Sequence, residues 1–252
     1  MRSLVRSTAM MTVGTVLSRA TGLMRVAAIA YAFGVVESGR LTDTYNLANT
    51  APNIIYELLL GGVVTSVFIP VFVELLEKEG RTRAWEVASA IINVALVALT
   101  VLTGILIVAA PALAKLYTLF VEGAQAELQQ QALTTLLRLL IPQIIFYGLF
   151  FITAGLLNAH KRFGAPMYTP ILNNLVVIAT FVTFRRLFGS VDLTSITPGQ
   201  LWFLGLGTTA GVVANALGLL PFARGLGRYR WTLAIGHPSI RKLGRLSVFV
   251  IG

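Results

Sequence analysis

Six long apolar segments dominate this chain and limit it to folds that a lipid bilayer can contain. They lie at about residues 7–33, 43–73, 87–114, 133–157, 167–184 and 201–222. A helix needs roughly 20 mostly apolar residues to cross about 30 Å of hydrocarbon. Only 12% of the residues are charged, whereas soluble domains are about 25% charged. We therefore predict an all-α integral membrane protein, with a six-helix transmembrane lobe and the start of a seventh span near Leu246.

Basic residues are distributed unevenly between the two ends of the predicted spans. With the N-terminus inside, the interior segments carry thirteen lysines and arginines and the exterior loops carry four. The positive-inside rule then predicts that the N-terminus lies in the cytoplasm. The excess of basic residues on the cytoplasmic side accounts for most of the net charge of +10, so the charge does not indicate a nucleic-acid partner. We predict a transmembrane lobe over residues 1–223. Residues 224–252 would form a basic cytoplasmic segment that faces anionic lipid headgroups and leads into a truncated seventh span, as in part of a longer transporter.

The sequence lacks the usual motifs of metal, thiol and nucleotide chemistry. It has no cysteine, and its two histidines, His160 and His237, lie in different interior loops. The phosphate-binding pattern G-x-x-x-x-G-K-[ST] does not occur. We therefore predict no metal site, no cofactor and no enzymatic activity. A transport cycle would draw on an ion gradient, the membrane potential or a partner protein.

Two arginines, Arg19 and Arg25, lie inside the first apolar segment. A charge near the middle of the bilayer costs at least about 2.5–3.5 kcal/mol, so it normally faces a polar cavity or a partner. Guanidinium binds phosphate or carboxylate through two parallel hydrogen bonds, which predicts a cavity for an anionic substrate. Residues six apart on a straight helix point about 120° apart, so a kink or unwinding at Gly22 would be needed to bring both into one cavity. The alternative for Arg25 is that it extends to the outer headgroups.

A polar stripe follows the second span at steps of three and four residues, which is one face of a helix. Its members are Asp43, Asn46, Thr50, Asn53 and Glu57. Pro52 interrupts this span and predicts a bend. A stripe of this length must face protein or water rather than lipid. Most of these residues also have an alternative role. Asp43 could complement the helix dipole, and the asparagines could form hydrogen bonds to other helices. Glu57 could pair with one of the arginines.

Glycine and proline mark places where the later predicted helices approach each other or bend. Gly207 and Gly211 in the sixth span have the spacing that allows close helix contact. Proline beside amide residues in the fourth and fifth spans indicates bent helices with polar interiors. The residues concerned are Pro142, Gln143, Pro170, Asn173 and Asn174.

Two stretches of the chain carry a combination of residues typical of one protein family. The first stretch contains Ser18-Arg19, Gly22, Arg25, Phe33-Gly34, Thr42-Asp43, Pro52-Asn53, Phe68-Ile69-Pro70 and Glu74. The second is Leu157–Phe163, followed by Pro166, Pro170 and Asn173. In these residues the chain resembles the MurJ (MviN) family, the bacterial lipid II flippases within the multidrug/oligosaccharidyl-lipid/polysaccharide exporter superfamily. The resemblance covers nearly the whole chain and implies the N-terminal six-helix lobe of a longer protein.

The resemblance implies a cavity between two lobes that opens alternately to each side of the bacterial plasma membrane. The substrate would be a polyprenyl-diphosphate-linked peptidoglycan precursor, and cell-wall synthesis proteins would be candidate partners. The family's essential arginines of the first span fall on Arg19 and Arg25, and an acidic residue falls on Asp43. Many members have a third arginine after the Pro-Asn pair, where this chain has Tyr56 and Glu57. The predicted substrate-binding residues are Arg19, Arg25, Asp43, Asn53, Tyr56 and Glu57.

Three other functions fit parts of the sequence. In an ion-coupled exporter of cationic small molecules, Asp43 and Glu57 would be the working groups and the arginines would be structural. An enzyme acting on polyprenyl diphosphates would need clustered carboxylates for Mg²⁺, and Asp43, Glu57 and Asp192 are too dispersed along the chain for that. The third is a scaffold lobe that does not transport.

Overall fold

The computed structural model describes residues 2–34, 40–57, 69–121 and 123–232, and every regular element in these ranges is a helix. The first four helices are α1 (Arg2–Phe33), α2 (Leu41–Tyr56), α3 (Ile69–Lys78) and α4 (Gly80–Tyr117). The other four are α5 (Ala124–Leu140), α6 (Gln143–Ala159), α7 (Gly164–Phe188) and α8 (Pro198–Ala223). The predicted all-α fold is confirmed.

Five helical stretches in the described ranges are long and apolar enough to cross a membrane. They are Thr12–Phe33, Gly80–Tyr117, Gln125–Ala159, Gly164–Phe188 and Pro198–Ala223. They correspond to five of the six predicted spans. Residues 58–68 of the predicted second span, and the whole of the predicted seventh, lie outside the described residues, so those two spans stay predictions.

Helices α1 and α2 pack against different neighbours. Helix α1 lies along α7, and α7 lies along α8. Helix α2 instead packs against α5 and α6 and makes only a small contact with α1. Large aromatic side chains pack together where α1, α2 and α7 meet. The ring centroid of Phe181 on α7 lies 5.3 Å from that of Phe33 on α1 and 5.0 Å from that of Tyr45 on α2. Helices α1 and α2 therefore meet through aromatic side chains that also pack on α7.

The predicted bend at Pro142 is a break between α5 and α6. Proline has no N–H to donate, and the chain tightens here, with Ile144 N donating to Ile141 O at 3.0 Å and Ile145 N to Pro142 O at 3.2 Å. The hydroxyl of Thr209 on α8 donates to the carbonyl of Leu139 at 2.7 Å. The break is thus stabilised from a neighbouring helix, and it brings polar groups into the packed centre of the lobe.

Candidate substrate-binding site

Arg25 is half-buried on α1, and its Nε atom is buried without a hydrogen-bond partner among the described residues. Its positive charge interacts with Tyr45 on α2 and with Tyr147 on α6. The guanidinium group therefore lies within electrostatic reach of α2 and α6. A buried donor with no acceptor costs about 1–3 kcal/mol, and more when it is charged. The position favours a visiting anion or water.

A network of hydroxyl and amide groups lies behind Arg25. The Tyr45 hydroxyl is 2.9 Å from that of Thr208. The Tyr147 hydroxyl donates to Gln143 Oε1 at 3.4 Å, and Gln143 Nε2 donates to Thr209 Oγ1 at 3.1 Å. Gln143 was predicted as a polar residue beside a proline, whereas Tyr45, Tyr147 and the threonines were not predicted. Their only local signal is a hydroxyl group inside an apolar segment.

Arg19 is exposed on the same helix. Helix α1 continues without interruption from Arg2 to Phe33, so unwinding at Gly22 is not observed. Asn174 on α7 holds α1 at this point, because its Nδ2 atom donates to Ser18 O at 3.2 Å and to Thr21 Oγ1 at 3.0 Å. Along a continuous helix the two arginines point about 120° apart. The side chains of Arg19 and Arg25 therefore leave α1 in different directions, one to an exposed face and one to a half-buried position.

The polar stripe of α2 forms one exposed face, as the spacing predicts. Asp43, Asn46, Thr50 and Glu57 are exposed, and Asn53 is half-buried and donates to Asn49 O at 2.9 Å. The opposite face is buried and includes Leu41, Thr44, Tyr45, Ala48 and Ala51. Tyr56 is the last residue of α2, and its side chain lies outside the described part of the chain.

Ion pairs in the described ranges involve α3, α4, the residue between them and the segment after α8. Glu57 therefore forms no salt bridge with Arg19 or Arg25 there, and the pairing alternative is not observed. The same ranges contain no group of three or more His, Asp or Glu side chains arranged to hold a metal ion. The described polar groups thus offer a guanidinium and an amphipathic helix face to a ligand.

Several membrane-crossing helices around a half-buried arginine define this chain as part of a multi-pass α-helical membrane protein. Its residues 29–251 match the family described as "Lipid II flippase MurJ". The chain belongs to the MurJ family. The match begins after Arg19 and Arg25, so it does not test those two residues.

Similar proteins come from several bacteria. A "Lipid II flippase MurJ" of Burkholderia cenocepacia is 31% identical, over 67% of this chain and 32% of that protein. A "Probable lipid II flippase MurJ" of Synechocystis sp. is 28% identical, over 96% of this chain and 44% of that protein. A solved structure, "Lipid II flippase MurJ, inward closed conformation", has a TM-score of 0.70 at 19% identity, over 95% of this chain and 46% of that chain; this likeness shows the fold. The chain spans less than half the length of these relatives.

Proposed function

We propose that this chain is part of a flippase that moves lipid II, a polyprenyl-diphosphate-linked peptidoglycan precursor, from the inner to the outer leaflet by alternating access. The membrane would be the bacterial plasma membrane, with the N-terminus in the cytoplasm. Family membership and the names of the relatives support this assignment. The observation that carries it is the Nε atom of Arg25, which is buried without a hydrogen-bond partner in the part of the chain that the structure describes.

The diphosphate is the part of this substrate that a bilayer resists most. Moving it bare through hydrocarbon would cost tens of kcal/mol. Arg25 would replace part of the lost hydration with charge-assisted hydrogen bonds, and Arg19 would approach from the exposed side of α1. Because the Nε atom of Arg25 is already buried, less side-chain entropy is lost when the anion arrives than for an exposed arginine.

The polar face of α2 would serve the rest of the headgroup. Asn53 and Tyr56 offer hydrogen bonds to sugar or peptide groups, whereas Asp43 and Glu57 carry negative charge. When the site is empty, these carboxylates would offset the field of the arginines, and they would steer the guanidinium groups between the empty and occupied states.

One observation supports a second function, the ion-coupled export of cationic small molecules. Asp43 and Glu57 are exposed and form no ion pair within the described ranges. Carboxylates in that state would attract an organic cation or a coupling ion. Binding of an organic cation that is lost in Glu57→Gln and retained in Arg25→Gln would favour this function.

The test is translocation of lipid II by the protein reconstituted into liposomes, read from the exposure of the headgroup to a reagent outside the vesicle. We expect Arg25→Gln to lower the rate at least tenfold and Arg25→Lys to recover part of it, because lysine keeps the charge but loses the planar fork. Arg138→Gln, an exposed arginine of α5, is the matched control and should keep the wild-type rate. A folded Arg25→Gln variant with wild-type translocation would overturn the assignment.

A further inference from the structure

The segment after α8, residues Arg224–Thr232, folds back against the beginning of α4; we call it the return segment. Asn93 Nδ2 donates to the carbonyl of Thr232 at 2.8 Å, and Ser89 Oγ accepts from the backbone N–H of Arg230 at 3.1 Å. Both Ser89 and Asn93 are buried on α4. The return segment is therefore held by side chains that belong to a membrane-crossing helix.

Arg81 fixes the other end of the return segment. Its Nε donates to the carbonyl of Leu226 at 2.6 Å and its Nη2 donates to that of Gly225. A guanidinium has five N–H donors, so this side chain keeps donors for another acceptor. Gly227 lies against the indole of Trp85, where any larger residue would collide with the ring. These contacts place Arg81 and Trp85 side by side.

A cavity of about 330 Å³ lies between α4 and the return segment. Its charged lining is Arg81, Arg228, Arg230 and Glu86. Glu86 already pairs with Arg83 at 3.0 Å and with Arg230 at 3.2 Å. Arg228 is exposed and has no hydrogen bond or ion pair among the described residues. The cavity therefore carries an excess of positive charge, with two guanidinium groups available to an anion.

Trp85 supplies an independent sign of a missing ligand. The residue is 6% exposed, and its indole Nε1 is buried without a hydrogen-bond partner among the described residues. Tryptophan N–H groups usually find an acceptor when they are buried. The ring lines the cavity beside the arginines, and Gly227 of the return segment lies against its N–H, so a small shift of that segment would offer the N–H to an oxygen-rich anion bound by the arginines.

The surroundings of this cavity suit an amphiphile better than a free ion. A second cavity, of about 260 Å³, shares Glu86 and Arg230 with the first and adds Val87, Ala90 and Trp231. Val87 is where the apolar run of α4 was predicted to begin. Along α4, arginine is thus followed by tryptophan and then by aliphatic side chains. This order matches a phospholipid, in which the phosphate is followed by the interfacial region and then by the acyl chains.

We propose that these two cavities bind an anionic phospholipid, with its phosphate between Arg81 and Arg228 and its acyl chain toward Val87. A phospholipid bound here would hold the return segment against the membrane leaflet at which α4 begins. It uses none of the residues assigned to lipid II, so its test is separate from that of the proposed function.

The test is native mass spectrometry of the detergent-purified protein in an equal mixture of phosphatidylglycerol and phosphatidylcholine. We expect the wild type to retain phosphatidylglycerol preferentially and Arg228→Gln to reduce that retention at least fivefold. Arg186→Gln, which removes an exposed arginine at the end of α7, is the matched control and should retain the lipid as the wild type does. Trp85→Phe keeps a ring but removes the N–H, and it should also reduce retention.

Three results would overturn the proposal. One is equal retention of both lipids by the wild type. Another is an equal loss in Arg228→Gln and Arg186→Gln, which would indicate nonspecific attraction to positive charge. The third is displacement of phosphatidylglycerol by millimolar inorganic phosphate, which would make a free anion the ligand. Thermal unfolding of each variant establishes that a lost lipid does not reflect a lost fold.

Discussion

The hydroxyl of Tyr45 on α2 lies 2.9 Å from the hydroxyl of Thr208 on α8, and both residues are buried. The two residues are 163 positions apart in the chain. Thr208 also donates to the carbonyl of Leu204 on its own helix at 2.7 Å, so its hydroxyl accepts the Tyr45 proton. This contact joins the helix that bears the polar stripe to the centre of the lobe.

Replacing Tyr45 with phenylalanine tests this contact. The ring would still pack on Phe181, whereas the hydrogen bond would be lost. We expect the free energy of unfolding in detergent to fall by about 0.5–1.5 kcal/mol. Tyr31→Phe is the control because Tyr31 is 56% exposed, and it should change stability little. Equal effects of the two substitutions would show that the buried hydrogen bond contributes nothing.

Gly207 on α8 permits close contact with α7. A Cβ atom at this position would lie 2.5 Å from Thr180 Oγ1, so the two helices would have to move apart or Thr180 would have to change its rotamer. We expect Gly207→Ala to lower the free energy of unfolding by about 1–3 kcal/mol through overpacking, measured by thermal or denaturant unfolding.

Gly104 on α4 is the matched control, because a Cβ there would meet no atom within 4 Å. Gly104→Ala should leave stability unchanged or raise it by up to about 1 kcal/mol, since alanine favours the helix. Adding Thr180→Ala to Gly207→Ala should recover part of the loss. If Gly207→Ala changed the free energy of unfolding as little as Gly104→Ala does, the inference that α7 and α8 are in close contact at Gly207 would be wrong.

The loop between α7 and α8 depends on the charge of Asp192. Its carboxylate accepts hydrogen bonds from the hydroxyls of Thr194 at 2.7 Å and Ser195 at 2.8 Å, and also from their backbone N–H groups. These bonds hold the pKa of Asp192 below its ordinary value of 3.8. A lowered pKa in the folded state means that the carboxylate stabilises the loop above pH 3.8, and that this support is lost as the pH falls through the lowered pKa.

Hydrogen exchange at Thr194 and Ser195, corrected for intrinsic rates, measures this effect. Protection should be constant at neutral pH and should fall only below the ordinary pKa of the aspartate. Asp192→Asn should remove most of the protection at neutral pH. Glu127→Gln, at an exposed carboxylate of α5, should leave it intact. Protection that does not respond to Asp192→Asn would assign the loop structure to other contacts.

Asn93 is the main attachment of the return segment to α4. It donates to two backbone carbonyls, those of Arg230 and Thr232, and accepts from the hydroxyl of Tyr229. At about 0.5–1.5 kcal/mol for each bond, Asn93→Leu should make trypsin cleavage after Arg228 and Arg230 about tenfold faster or more. The measurement is the time course of these two cleavages by mass spectrometry.

Thr103→Val is the control for Asn93→Leu, because Thr103 is also buried on α4 and its hydroxyl has no partner among the described residues. This isosteric change should leave the cleavage rate as it is in the wild type. Cleavage at the wild-type rate in Asn93→Leu would mean that the return segment is held by other contacts.

Sequence alone was sufficient wherever the deciding pattern is local. Five of the six predicted spans correspond to membrane-crossing stretches of the described residues, because hydropathy over about 20 neighbouring residues determines whether a helix can enter lipid. The stripe from Asp43 to Glu57 predicted one face of α2 because the helical period is fixed by the backbone. The spacing of Gly207 and Gly211 indicated a tight helix contact for the same reason.

Only the tertiary structure decided which groups surround Arg25 and where the return segment lies. Tyr45, Tyr147 and Gln143 come from helices far apart in the chain, and none of them has a spacing that relates it to Arg25. Residues 224–252 were predicted to lie against headgroups, which stays a prediction, and the contacts of Arg224–Thr232 with α4 were not predicted. The physical reason is that a hydrogen bond between distant segments depends on how whole helices pack, and the free energy of that packing is spread over many side chains rather than encoded in any short stretch.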